Sequence, residues 1–376
     1  MPTPEAVRRI ILFACASALF VAVLFYVSGG SSTAPDTLPS RLSDKEFWMM
    51  VTEFSEAGGY FRSDNFLSNE SGYQTVVPLL RKTIQPGGVY LGVGPEQNFT
   101  YVIAVEPKMA FVLDIRRQNM LEHLLYKALM ETSSGRADFL SRLFSRPQPP
   151  ALETSSPVDM LVRDYESVQP SSEMFEANLR DVLNHLEKRK GFELSSQDEA
   201  SVRRVYHAFF DSGPDLSYTF VGGYGGFMGM PTYGDLMREN DGHTRNWNFL
   251  ATEDQFRAVQ QLQKDNLIVP IVGDFAGPKA IRSVSRYLKE HNAALSVFYT
   301  SNVEQYLFQD EDNWKRFYEN VSNLPLNPNS TFIRYVLNGR GFPRRSRSLV
   351  SPMLDVLSAF ENGRIQSYYD VIEMSR

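Results

Sequence analysis

One recurring unit restricts this chain more than any other feature: a short apolar run, a turn, then an amphipathic segment. GVYLGVGPEQN (88–98) runs into an apolar helix, FTYVIAVEP (99–107), and a second apolar run, MAFVLDI (109–115). A long amphipathic segment spans Asn119 to about Thr132. The unit resumes with LIVPIVGDF (267–275), a helix AIRSVSRYLKEH, the run AALSVFYTS (293–301), a helix from Val303, and TFIRYVLN (331–338). Such alternation predicts an α/β fold with a doubly wound, mostly parallel sheet. Before it, residues 41–57 place Phe47, Trp48, Val51 and Phe54 at helical spacing, with Ser43 as N-cap.

Residues 146–216 break the rhythm. RPQPPALETSSP is a Pro-rich interruption, and charged amphipathic helices near 172–189 and 197–211 read as a helical insertion packed on one end of the sheet. The expected organisation is therefore a first half over 43–145, the insertion over 146–216, a second half over 217–340, and a tail with a helix over 341–376. Where the second half passes into the tail, Arg340, Arg344, Arg345 and Arg347 form either a solvated face or a contact for anionic headgroups.

Residues 10–27 contain no charge, and Arg8 and Arg9 precede them. That run suits a transmembrane anchor or a signal peptide within residues 1–30, followed by a small-residue and proline linker over 31–42. The basic flank places the body on the extracytoplasmic side, anchored or secreted to the periplasm after cleavage. With 38 basic and 44 acidic residues, net charge −6, the chain has no general nucleic-acid-binding character. Its single cysteine, Cys15, lies in the apolar run, so the body has no disulfide and no thiol nucleophile. The five histidines show neither HxxxH nor HExxH spacing, so no metal is expected.

Chemistry concentrates first at Gly92-Val93-Gly94-Pro95-Glu96. Glycines at a strand end let backbone approach a ligand, and the helix start favours an anion. Asp114 ends the next run, 20 residues past Gly94, where a carboxylate accepts from ribose hydroxyls. The alternative is a tight βα turn with a solvated aspartate. Gln97 stands in place of the third glycine of GxGxxG, which disfavours a dinucleotide, and no GxxxxGK[ST] or GxSxG motif occurs. A second group, Ser63, Asp64, Asn65, Ser68, Asn69 and Glu70, with Gln74 beyond it, reads as a polar shelf or as a helix start capped by Ser68 or Asn69. A third stretch holds six glycines between 222 and 234, with Tyr224 among them, and reads as a cover loop or a plain connection. Nearby Asp241, His243, Arg245 and Asn246 gather polar groups, with His243 a general-base candidate. The sequon at Asn98 reads as accidental, because glycosylation there would block the same pocket.

The order GVGPEQNFTYVIAVEPKMAFVLDIRRQN, LIVPIVGDFAGPKAIRSVSRYL, SVFYTSNVEQYL resembles an uncharacterised bacterial family. That family has the Rossmann-like fold of class I S-adenosylmethionine-dependent methyltransferases. The resemblance runs from about Phe61 to Leu337. It implies that Gly92 and Gly94, with Pro95 and Glu96, line the methionine end of the cofactor and that Asp114 holds its ribose. Gly273-Asp274-Phe275 corresponds to the segment that touches adenine, and Ser301, Asn302 and Glu304 to groups presented to substrate. The common acidic residue just before the glycines is absent, since Tyr90 and Leu91 stand there.

Three readings follow. In the first the chain is a methyltransferase using S-adenosylmethionine, with Asp64, Asn65, Glu70 or Glu304 orienting the substrate and taking its proton, and Tyr224 and His243 near it. In the second it is a non-catalytic or repurposed Rossmann-like module that binds a nucleoside-like or other small ligand at the cell envelope. A third makes it a structural partner in an envelope complex. The compartment argument weighs against the first, because S-adenosylmethionine is not expected outside the cytoplasm.

Overall fold

The computed structural model describes residues 35–218, 230–337 and 346–375. Residues 38 onward belong to one compact unit, so the helical insertion is not a separate body. A six-stranded sheet runs through it in the order β3-β2-β1-β4-β5-β6. The strands are β1 (Val89–Gly92), β2 (Met109–Asp114), β3 (Ile268–Val272), β4 (Leu295–Ser301), β5 (Leu326–Leu337) and β6 (Ser346–Pro352). The first five are parallel, and β6 pairs antiparallel with β5. Strands β1, β2 and β3 are buried at every position, which explains why they read as continuous apolar runs and not as alternating ones. The β2–β3 register sets Asp114 beside Val272, so the two strands end level. Strand order reverses between β1 and β4, and in open α/β sheets ligands bind at the carboxyl end of such a reversal.

Fifteen α-helices lie among the described residues. Helix α1 (Asp44–Glu53) starts at Ser43, whose hydroxyl caps Glu46 N–H in a capping box, as the sequence predicts. Then come α2 (Val77–Thr83), α3 (Gln97–Val105), α4 (Arg117–Thr132), α5 (Arg136–Phe144) and α6 (Val158–Ser167). Helix α7 (Ser172–Leu183) continues as a π-helical turn to Arg189, and α8 is Ser196–Ser212. The insertion docks through α8 against α4, where Arg117 pairs with Asp198 at 2.6 Å. The remaining helices are α9 (Tyr233–Arg238), α10 (Glu253–Lys264), α11 (Ala280–Glu290), α12 (Val303–Leu307), α13 (Glu311–Ser322), α14 (Met353–Glu361) and α15 (Tyr368–Glu373).

Two elements depart from the sequence reading. Helix α6 follows the Pro-rich break directly, with Pro157 at its N-cap. The stretch expected as a tail supplies edge strand β6 before its helix, and Arg347 of the basic cluster sits on that strand, paired with Val336. Residues 1–34, with the apolar run and Cys15, lie outside the described residues, as do 219–229 with Tyr224 and 338–345 with Arg340, Arg344 and Arg345. No helix among the described residues is long and apolar enough to cross a membrane.

Candidate functional site

A cavity of about 460 Å³ opens where β1, β2, β3 and β4 end. Its wall includes Asn65, Ser68 and Glu70 of the polar shelf, Gly94 and Pro95 after β1, and Asp114 at the end of β2. Gly273, Asp274 and Phe275 after β3 join them, with Ser301 and Asn302 after β4. Segments more than 200 residues apart in sequence thus converge on one space. Phe61, Tyr218 and Tyr306 give it an aromatic side, Phe61 meeting Tyr306 edge to face at 5.2 Å. The volume falls in the range of about 300–1,000 Å³ usual for small-molecule sites.

The two glycines of the first loop have different duties. A Cβ on Gly92 would stand 2.0 Å from Asn98 Oδ1 and 2.6 Å from the Tyr90 hydroxyl, so Gly92 serves internal packing and does not line the cavity. Gly94 has φ +80°, and a Cβ there would meet only Asn65 Nδ2 at 3.9 Å. It is the glycine that leaves room for a ligand. The buried Asn98 amide fastens the loop by donating to the carbonyls of Val93, Gly94 and Pro95 at 2.9, 3.0 and 2.8 Å. A glycan on Asn98 is incompatible with this burial. Burial also lowers His123 to about 4, and its neutral ring donates through Nε2 to Gly94 O at 2.9 Å.

Gln97, which replaces the third glycine of a dinucleotide fingerprint, has a structural task. Its amide nitrogen donates to Glu70 Oε2 at 2.8 Å while its oxygen accepts from the Ser68 hydroxyl. The start of α3 is thereby tied to the polar shelf. Ser301 donates to the other oxygen of Glu70. No cation pairs with Glu70 among the described residues, and burial raises its carboxyl to about 7 against the lowering hydrogen bonds of Ser301 and Gln97. A carboxyl poised there can both take and return a proton at neutral pH. Asn65 and Ser301, both on the cavity wall, are non-glycine residues with left-handed φ of +52° and +51°. Strain of this kind gathers at ligand sites.

Residues 65–360 match the family model described as a domain of unknown function (DUF7790). The chain belongs to this family. The match spans over three quarters of the sequence and contains every cavity residue named above except Phe61. No curated protein matches the chain.

Within the DUF7790 domain, other expected site residues have different surroundings. Asp114 lines the cavity, but its carboxylate is held by Arg116. Oδ1 accepts from the Arg116 backbone N–H (2.8 Å) and Nε (3.0 Å), and Oδ2 from Nη2 (2.7 Å). Arg116 also donates to the carbonyls of Ser63 and Asp64. In the amide orientation that satisfies both groups, Asn65 accepts from Arg116 Nη2 at 2.9 Å. Arg116 escaped the sequence reading, although its spacing two residues past Asp114 in extended chain was the available signal. Phe275 packs its ring on Phe298 and Phe317, at 5.1 and 5.4 Å. A Cβ on Gly273 would stand 2.4 Å from the Ala280 Cβ, so that glycine seats α11. The backbone N–H groups at the start of α11 already bind a carboxylate: Lys279 and Ala280 donate to Glu56 Oε1 at 2.8 and 2.7 Å.

Four expectations are corrected by position. Glu304 is not on the wall; Arg334, Thr300 and Tyr318 engage both its oxygens, in a pair that is 0–1% exposed. Asp64 turns its carboxylate to Arg204 on α8. Glu96 lies beneath the loop, accepting from Ser68 N–H, and burial raises it to about 7. His243 is exposed in a turn built on Asp241, away from the cavity. Gln74 belongs to a separate buried network, accepting from Trp247 N–H and donating to Glu239 O. Tyr218 and Met230, the described residues flanking 219–229, both line the cavity. No group of three or more His, Cys, Asp or Glu among the described residues is placed to hold a metal.

Proposed function

We propose that this chain binds S-adenosylmethionine at the carboxyl edge of its sheet and transfers its methyl group to a small substrate. The observation that carries the reading is the convergence of Gly94, Asp114, Ser301 and Glu70 on one cavity at the strand-order reversal. The order 3-2-1-4-5 with an antiparallel edge strand is compatible with a Rossmann-like, methyltransferase-type sheet. Gly94 supplies the opening for the methionine end, and Asp114 Oδ2, with one protein donor, retains acceptor capacity for a ribose hydroxyl. The cofactor supplies a methyl group on a sulfonium, so the protein's work is positioning. Ser301 and Asn302 orient the substrate, and Glu70 receives the proton its nucleophile gives up.

The second reading, a repurposed module for a nucleoside-like ligand at the cell envelope, draws on the commitment of Asp114 to Arg116, which leaves one open position where a ribose takes two. It also draws on the N-terminal apolar run, for which we propose a single anchor or a cleaved signal with the body extracytoplasmic. Calorimetric titration of the full-length protein with S-adenosylmethionine separates the two. Micromolar binding abolished by Gly94→Val, with the far-UV spectrum unchanged, is the result expected of the first. No heat at millimolar ligand would leave the second. Asp114→Ala is a poor probe, because it also strands a buried guanidinium.

A further inference from the structure

We propose that Ser301 is a covalent nucleophile, with Glu70 as its general base, for acyl transfer from a small uncharged ester or thioester. This goes beyond the methyl-transfer reading and needs no cofactor. Ser301 is the last residue of β4, two positions before α12 begins, and has φ +51°, a left-handed conformation on a strand-to-helix corner. Such a corner lifts a side chain clear of the strand and into the space above it. Its hydroxyl donates to Glu70, 231 positions away in sequence, and both residues line the cavity. Gln97 fixes the opposite oxygen of Glu70 and is itself held by Ser68 and the Tyr101 hydroxyl. Nucleophile, base and orienting group therefore stand in the relation that activates a weak hydroxyl. Sequence patterns miss it because Tyr299 and Val303 occupy the places where a GxSxG motif has glycine.

The lining sets the substrate class. Both of its arginines are engaged, Arg116 by Asp114 and backbone carbonyls, Arg62 over the Tyr306 ring at 5.9 Å. A free carboxylate or phosphate is therefore poorly served, whereas Phe61, Tyr218 and Tyr306 suit an apolar acyl group. In the first half-reaction Ser301 Oγ bonds to the acyl carbon and its proton passes to Glu70. The bond from acyl carbon to the leaving oxygen or sulfur breaks, and Glu70 returns the proton to the departing alcohol or thiol. Water then attacks the acyl-serine, giving a proton to Glu70. Cleavage of the Ser301 Oγ–acyl bond returns that proton to Ser301 and releases the carboxylic acid. Asn302, beside Ser301 on the wall, accepts from the Ser301 hydroxyl through its amide oxygen at 3.4 Å.

The probe is diisopropyl fluorophosphate, which phosphorylates an activated serine hydroxyl with loss of fluoride. Full-length protein should gain one adduct, mapped by peptide mass spectrometry to Ser301 and absent from Ser301→Ala. Glu70→Gln should slow labelling by roughly 100-fold or more, the usual worth of a general base. In the wild type, the labelling rate should climb with pH through about 7, as Glu70 ionises. An unlabelled Ser301 in folded wild-type protein would overturn the assignment, and so would an equal rate in Glu70→Gln. If that variant does not fold, the wild-type pH profile decides: a rate flat from about pH 5 to 9 rules out Glu70 as the base. Titration with S-adenosylmethionine is read separately, so failure of either idea leaves the other standing.

Discussion

Two buried glutamates flank the end of β4 and have opposite surroundings. Glu304 is locked by Arg334, with Thr300 and Tyr318 completing its hydrogen bonds. Among the described residues Glu70 has neutral hydrogen-bond partners, Ser301, Gln97 and Tyr299, and it opens on the cavity. The first carboxylate has had its charge cancelled and its lone pairs used, so it holds β4, β5 and α13 together. The second has been left where ionising is costly and ligand is near. Position at a strand end is thus a weak guide to function, and the company a carboxylate keeps is a better one.

The sharpest way to break this contrast is to remove the cation. Arg334→Met leaves Glu304 buried and unpaired, and should cost about 3–5 kcal/mol in denaturant unfolding. A loss below about 1 kcal/mol would show that Glu304 is not the structural member. Next comes Glu70. Its carboxyl is raised from 4.5 to about 7, so the native state keeps a proton that the unfolded chain has released between those values. The stability this contributes is present below about pH 4.5 and is lost as pH rises through about 7. Glu70→Gln cannot ionise, so it should gain on the wild type from pH 4 to 8 by about 3 kcal/mol. Glu239, also raised to about 7, bends both curves alike, whereas Glu96 is raised by burial and in part by the Glu70 charge, so the difference between proteins reports Glu70 together with its coupling to Glu96.

Smaller effects sharpen the picture within the glycine loop. Gly92→Ala forces a Cβ onto Asn98 and Tyr90 and should cost about 1–3 kcal/mol in thermal unfolding. A neutral outcome would mean that the loop relaxes freely. His243→Ala, an exposed change remote from the cavity, should stay within about 0.5 kcal/mol and leave ligand binding unaltered. Altered binding would extend the site beyond the cavity wall.

Much of this architecture was readable from residue pattern alone. The runs of β1, β2 and β3 are continuous and apolar because those strands are buried at every position, and the residues at or just past the ends of β1 to β4 mark the cavity. Partnerships across long separations were not readable. Nothing near Glu70 announces Gln97 or Ser301, and nothing near Glu304 announces Arg334, because those contacts exist only once the strands are ordered in space. Strand β6, read as part of a tail, is a short antiparallel edge with polar Ser and Arg residues, so it lacked the apolar signature of its neighbours. Gln97 looked like a missing glycine and is a positive element, the link between α3 and Glu70.

The most direct test of the central claim, that the carboxyl-edge cavity is the working site, is a crystal structure grown with saturating S-adenosylmethionine. Density running from Gly94 past Asp114, within reach of Ser301 and Glu70, is the expected result. A bound ligand elsewhere on the molecule, with this cavity filled only by ordered water, would contradict it.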